Sequence, residues 1–287
     1  MPTARESTLV VERVDPPVDV PHKGYLLWVP GVGVADSTAF RGYMRGLAPF
    51  GYSSVAMRLE KHACSSPGAL VDQIEAAAAT LPEPPILVGH SFGGALVQVA
   101  LARRRTARSS STVVLTRGVL LCSAPVTSTL PFVWYLLRLL CVAPVGMLLS
   151  VLTLNPAFLV GGGWGCRSAA RLRYIGFAAA AAETLTVRGH AEPFETFHAD
   201  VSRVDSFLMV LAFLIFPCRF RRPPDARVCI IGTRDDRIAT PSALAATGRD
   251  WGVEPRVLSG LGHFLADPGW ESTALPALVI ELEGLRR

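Results

Sequence analysis

The chain has 287 residues, enough for one large domain or two small ones with a substantial buried core. Half of its residues are hydrophobic and only 18% are charged, with a mean hydropathy of +0.37, which excludes a disordered chain and leaves apolar surface over for lipid or a lipid-like ligand. The net charge of +5 is not gathered into a nucleic-acid-binding block: Arg103-Arg104-Arg105 falls at the end of an expected helix, where it suits the helix dipole.

In chain order, Gly24–Val29 (GYLLWV) is a short apolar run ending in Pro30-Gly31, a buried strand running into a turn. Asp36-Ser37 predicts the cap of a helix over about 38–49, closed by Pro49-Phe50-Gly51. Ser53–Met57 reads as a second strand. Ser66-Pro67 opens a helix whose Ala69, Leu70, Ile74, Ala77, Ala78 and Leu81 share one apolar face, and Pro82, Pro84 and Pro85 end it. Ile86–Val88 is a third strand, followed by a glycine-rich turn and a helix over about 92–104, and Gly118–Cys122 is a fourth. Residues 127–200 are irregular and apolar. Alternation resumes with a strand at Arg227–Ile231, a helix near 241–250, a strand at Pro255–Leu258 and a final helix near 270–284.

Strands alternating with helices predict an α/β fold with a mostly parallel central sheet covered on both faces. The strands are apolar throughout, as that burial requires. The expected organisation is a single domain over 1–287, with a core of 24–126 and 201–287 and a mainly helical, apolar cap inserted at about 127–200.

Six cysteines, at 64, 122, 141, 166, 218 and 229, form no C-x-x-C pair and read as buried free thiols in a reducing compartment. The first residues, MPTARESTLVVERVD, lack the apolar run of a signal peptide, so a cytoplasmic location is expected.

Residues 88–94, V-G-H-S-F-G-G, place Ser91 between a strand and a helix. G-x-S-x-G is a weak pattern alone, and a glycine-rich turn without chemistry fits it too. On a strand-turn-helix unit the glycines remove Cβ atoms that would clash, and the turn lifts the Ser91 hydroxyl above the sheet. It also puts the N–H of Phe92 at a helix N-terminus, where it can stabilise an oxyanion. A serine hydroxyl needs a base, and the base an orienting carboxylate. Leu261-Gly262-His263-Phe264 and Gly232-Thr233-Arg234-Asp235-Asp236-Arg237-Ile238 supply both, each after a predicted strand and on the edge of the sheet where Ser91 lies.

Over residues 24–125 and 226–285 the chain thus resembles the α/β-hydrolase family. The marks are Pro30-Gly31-Val32-Gly33, Gly89-His90-Ser91-Phe92-Gly93-Gly94, the Asp235-Asp236-Arg237-Ile238 loop and Gly262-His263-Phe264, in the family order Ser…Asp…His. The resemblance implies Ser91 as nucleophile, His263 as general base, Asp235 or Asp236 as the acid, and the N–H groups of Val32 and Phe92 as the oxyanion hole. The spacing from Gly232 selects Asp235. The spacing to Ile238 and Pro241 selects Asp236, which is preferred because the residues after the acid set its direction. Many members carry His-Gly where this chain has Pro30-Gly31. The donor of Val32 survives that change, and the hydrogen bonds of the histidine do not.

His90 fills the variable position of the turn and is expected to pack, while His22, His62, His190 and His198 read as surface residues. No histidine spacing supports a metal, and no cofactor is expected. Residues 139–166 carry no charge and would pass for a membrane span. A single crossing would separate Ser91 from His263. The second apolar run, Phe207–Phe216, falls short of the ~20 residues a crossing needs. Pro144, Asn155 and Pro156 interrupt a helix. The segment therefore reads as a cap whose Phe132, Trp134, Leu137, Leu140 and Met147 could line a hydrophobic pocket, with peripheral membrane contact as the other use of its surface.

The expected function is a serine hydrolase cleaving a hydrophobic carboxylic ester. Thioesterase or acyltransferase chemistry uses the same parts, and a membrane-associated, non-catalytic protein on the same scaffold is the alternative class. Ser91 in place of an acidic nucleophile argues against haloalkane dehalogenase or epoxide hydrolase chemistry.

Overall fold

A computed structural model describes residues 9–31, 37–60, 66–103, 113–123, 125–127, 133–134, 137, 141, 222–263, 265 and 269–287. Seven strands form one sheet: β1 (Val10–Val14), β2 (Gly24–Val29), β3 (Tyr52–Met57), β4 (Ile86–His90), β5 (Arg117–Leu121), β6 (Arg227–Thr233) and β7 (Arg256–Leu258). Their order is β1-β3-β2-β4-β5-β6-β7. Only β1 runs antiparallel to its neighbour. The C-terminal ends of β2 through β7 therefore share one edge, which puts the turns after β4, β6 and β7 on the same side of the molecule.

The described α-helices are α1 (Arg41–Leu47), α2 (Pro67–Ala79), α3 (Phe92–Ala102), α4 (Pro241–Trp251) and α5 (Trp270–Arg286). Side-chain alternation divides each strand between two cores. Leu27, Leu87, Leu120 and Ile230 point to the face covered by α2, α3 and α4; Leu26, Val88, Val119 and Ile231 point to that of α1 and α5. Each such aliphatic side chain contributes about 1.5–3 kcal/mol by leaving water.

The local signals explain most elements. Ser66 caps α2, its Oγ accepting the N–H of Ala69 at 3.2 Å, with Pro67 at the first helical position. The segment at 38–49 departs from expectation. It is a 3-10 turn (Ser37–Phe40), the short α1, and a second 3-10 turn (Ala48–Phe50), and α1 has no side-chain cap. Ser37 is buried, and its hydroxyl donates to the carbonyl oxygen of Trp28 at 2.5 Å, so it serves the sheet.

The sheet also begins earlier than residue 24. β1 (VVERV) alternates half-buried and exposed residues, as an edge strand does, and its charges find local partners: Glu12 with Arg41 and Arg13 with Asp15.

Among the described residues no helix is long and apolar enough to cross a membrane. The cap expected at 127–200 lies almost wholly outside the described residues, Met147, Phe132 and Leu140 included. Trp134 and Leu137 are described, and they are 61% and 48% exposed.

Candidate active site

Ser91 joins β4 to α3 with φ 53° and ψ −119°, a conformation that L residues rarely hold. Its N–H donates to the carbonyl of Leu121 on β5 at 2.9 Å, and its own carbonyl accepts the N–H of Ala95 at 3.2 Å to start the helix. The turn is this tight because its glycines let backbone meet backbone. A Cβ on Gly89 would lie 2.5 Å from the carbonyl oxygen of Gly93, and one on Gly93 would lie 2.3 Å from that of Val29. Phe92 is the first residue of α3, so its N–H sits where the helix dipole favours negative charge. Val32 lies outside the described residues.

The turn after β6 aims Asp236. Its Oδ1 accepts the N–H groups of Ile238 at 2.7 Å and Ala239 at 2.8 Å. Its Oδ2 accepts the Nδ1–H of His263 at 2.7 Å. Both side chains are buried. Burial pushes the Asp236 carboxyl up, but His263 and the two backbone donors outweigh it and hold the group below the usual aspartate value. A carboxylate only accepts, so Nδ1 of His263 carries a proton and Nε2 of the neutral ring is the acceptor.

Asp235 takes no part in this pair. Its Oδ2 accepts the N–H of Gly260 at 3.2 Å and ties the loop after β6 to the loop after β7. Of the two aspartates left open by spacing, the fold brings Asp236 to His263.

Three further contacts had no signal in the sequence. His90 is buried, and its Nε2–H donates to the backbone carbonyl of His263 at 2.8 Å. Its ring lies 4.9 Å from that of His263 and 5.0 Å from that of Phe40. The Tyr43 hydroxyl donates to the carbonyl of Leu265 at 2.6 Å, fixing the far side of the histidine loop from α1. Cys122, at the end of β5, brings its sulfur within 4.8 Å of ligand atoms of both Asp236 and His263.

Burial, reinforced by the nearby His263 ring, pushes the His90 imidazole down to about 3. The unfolded chain binds this proton near the ordinary histidine value and the folded chain does not. The stability contributed is therefore complete above that value and is lost as pH falls toward 3, by about 1.4 kcal/mol per pH unit. Urea unfolding between about pH 6.5 and 4 is expected to show this slope. His90→Gln, which keeps a donor but does not titrate, is expected to flatten it.

Comparison with known proteins bears on the same residues. The model of the alpha/beta hydrolase family matches residues 26–273. The chain belongs to the alpha/beta hydrolase family. The match spans Ser91, Asp236 and His263 together. No curated protein sequence matches the chain.

Among solved structures, this alpha/beta hydrolase is similar to a putative non-heme bromoperoxidase from Mycobacterium tuberculosis H37Rv, with 14% identity and a TM-score of 0.64 over 96% of this chain and 94% of that one. It is also similar to an esterase from Exiguobacterium antarcticum, with 13% identity and a TM-score of 0.63 over 95% and 94%. A proline iminopeptidase-related protein from Thermus thermophilus gives 18% identity and a TM-score of 0.59 over 94% and 91%. At these identities the likeness is one of fold, and the reaction has to be argued from the site.

Proposed function

We propose that this alpha/beta hydrolase is a serine esterase acting on a carboxylic ester with a hydrophobic acyl or alcohol part. The carrying observation is the buried 2.7 Å contact between His263 and Asp236 on the sheet edge where Ser91 occupies its strained turn. In this reading the Ser91 Oγ attacks the ester carbonyl carbon while His263 Nε2 takes its proton. Asp236 stabilises the imidazolium that results and keeps the ring in the tautomer that can accept. The N–H of Phe92, joined by that of Val32, holds the oxyanion. Collapse of the tetrahedral intermediate breaks the bond to the alcohol, which leaves with the proton from His263. Water, deprotonated by the same ring, then releases the acid and restores Ser91.

A serine here, where epoxide opening calls for an acidic nucleophile, favours ester chemistry, although one solved structure of the same fold carries an epoxide hydrolase description. The uncharged stretch 139–166 supports a hydrophobic substrate and contact with a lipid surface.

A fluorophosphonate probe tests the reading. It is expected to label the protein, with the adduct located on the peptide carrying Ser91; labelling elsewhere or none at all sinks it. p-Nitrophenyl esters of increasing acyl length are expected to give kcat/KM values that rise with length, and a preference for acetate overturns the hydrophobic part alone.

A further inference from the structure

Strand order places β5 between β4, which carries the nucleophile turn, and β6, which carries the acid. The residue that follows β5 therefore lies between the two, and in this chain it is a cysteine. Cys122 is buried with φ 46°, its N–H donating to the carbonyl of Ile231 on β6 at 2.8 Å. Its sulfur, a carboxylate oxygen of Asp236 and a ring nitrogen of His263 all lie within 4.8 Å of one another.

We propose that Cys122, Asp236 and His263 form an inhibitory site for zinc. Thiolate, imidazole and carboxylate are the donors that zinc prefers, with bonds of about 2.0–2.3 Å. Two donors sharing a tetrahedral zinc lie roughly 3.3–3.6 Å apart. Closing the widest of these separations, at most 4.8 Å, to that spacing takes about 1.2–1.5 Å shared between two side chains, with a water molecule as the fourth ligand. The Cys122 thiol proton passes to solvent. The ion's two positive charges then meet one thiolate and one carboxylate beside a neutral ring. The closed site is electrically neutral, as a buried ion requires.

Either ring nitrogen serves as ligand, and either stops the base. If zinc takes Nδ1, the ring proton moves to Nε2, which can no longer accept from Ser91. If zinc takes Nε2, the accepting lone pair is itself occupied. The inference rests on Ser91, His263 and Asp236 being the reacting groups, and it adds a ligand that switches them off.

The experiment follows fluorophosphonate labelling and ester hydrolysis by the full chain, first in EDTA and then with zinc chloride alone. The wild type is expected to lose both activities with zinc and to regain them with EDTA. Cys122→Ser and Cys122→Ala are expected to need at least about tenfold more zinc. Cobalt substitution gives a second readout independent of turnover: the wild type is expected to show sulfur-to-metal charge-transfer absorption that both variants lack. Equal zinc sensitivity of wild type and variants overturns the site, as does undiminished labelling of the wild type at about 1 mM zinc or a cobalt band that survives both substitutions. No labelling in EDTA overturns the hydrolase reading itself, and the inhibition with it.

Discussion

Ser91→Ala is expected to lower kcat about 10⁶-fold and to abolish fluorophosphonate labelling, while leaving the chain folded. With the hydroxyl gone, neither His263 nor Asp236 can attack in its place. His263 Nε2 is a base without a proton to take, and Asp236 is engaged by Ile238, Ala239 and His263. The residual rate reports what oxyanion donors and substrate positioning achieve alone. The same position carries a stability effect of opposite sign. A non-glycine residue at φ 53°, ψ −119° costs on the order of 1–3 kcal/mol, so Ser91→Gly is expected to be more resistant to urea than the wild type. An inactive variant that is also more stable would show strain kept for function. An inactive variant that is unfolded would show nothing about chemistry, so circular dichroism accompanies the assay.

Asp236→Asn is expected to lower kcat about 10⁴-fold with KM little changed, and Asp235→Asn to leave both within about threefold. The two backbone N–H groups on Oδ1 decide this. They need an acceptor, so the amide introduced by Asp236→Asn must present its oxygen there and turn its NH2 toward His263. The ring nitrogen facing it must then accept rather than donate, and the proton moves to the side of the ring that faces Ser91. The base is present and in place, but in the wrong tautomer. Among the described residues Asp235 holds only the Gly260 N–H, a loop contact at the surface. If the two variants exchanged their effects, the assignment of the acid would be wrong while Ser91 and His263 stood. Steady-state kinetics on one p-nitrophenyl ester separates the cases.

The parallel sheet was legible because its strands are short apolar runs between proline- and glycine-rich turns, and because Ser66 and Pro67 mark a helix start by local chemistry. The turn at Ser91, the candidate nucleophile, was legible for a related reason: a turn this sharp demands glycines two residues to either side, Gly89 and Gly93, and glycines leave a pattern. β1 was not. Its five residues bury one side only and carry Glu12 and Arg13. Its strand character comes from pairing with β3, Val14 against Ser54 and Arg13 against Val55, residues far apart in the chain. The helix expected at 38–49 keeps α-helical form only over Arg41–Leu47, and Ser37, an apt cap by composition, bonds to Trp28 instead. The choice between Asp235 and Asp236 turns on which carboxylate the loop points inward, a matter of backbone direction that spacing from either end reads differently. The bond from Tyr43 to Leu265 joins residues 222 positions apart and leaves no local mark at all.

The hydrogen bond from His90 to the main chain of His263 ties the proposed base to the last residue of β4, next to the proposed nucleophile Ser91. The His263 backbone thus loses its conformational entropy when the chain folds, not when substrate arrives. Little reorganisation is left for the encounter itself, which is the condition under which fixed dipoles and donors lower a barrier most. It also gives distant packing a route to reactivity. Any change in the buried layer around β4 that shifts His90 shifts the backbone of His263 with it, so the alignment of proton acceptor and hydroxyl is inherited from the core of the sheet.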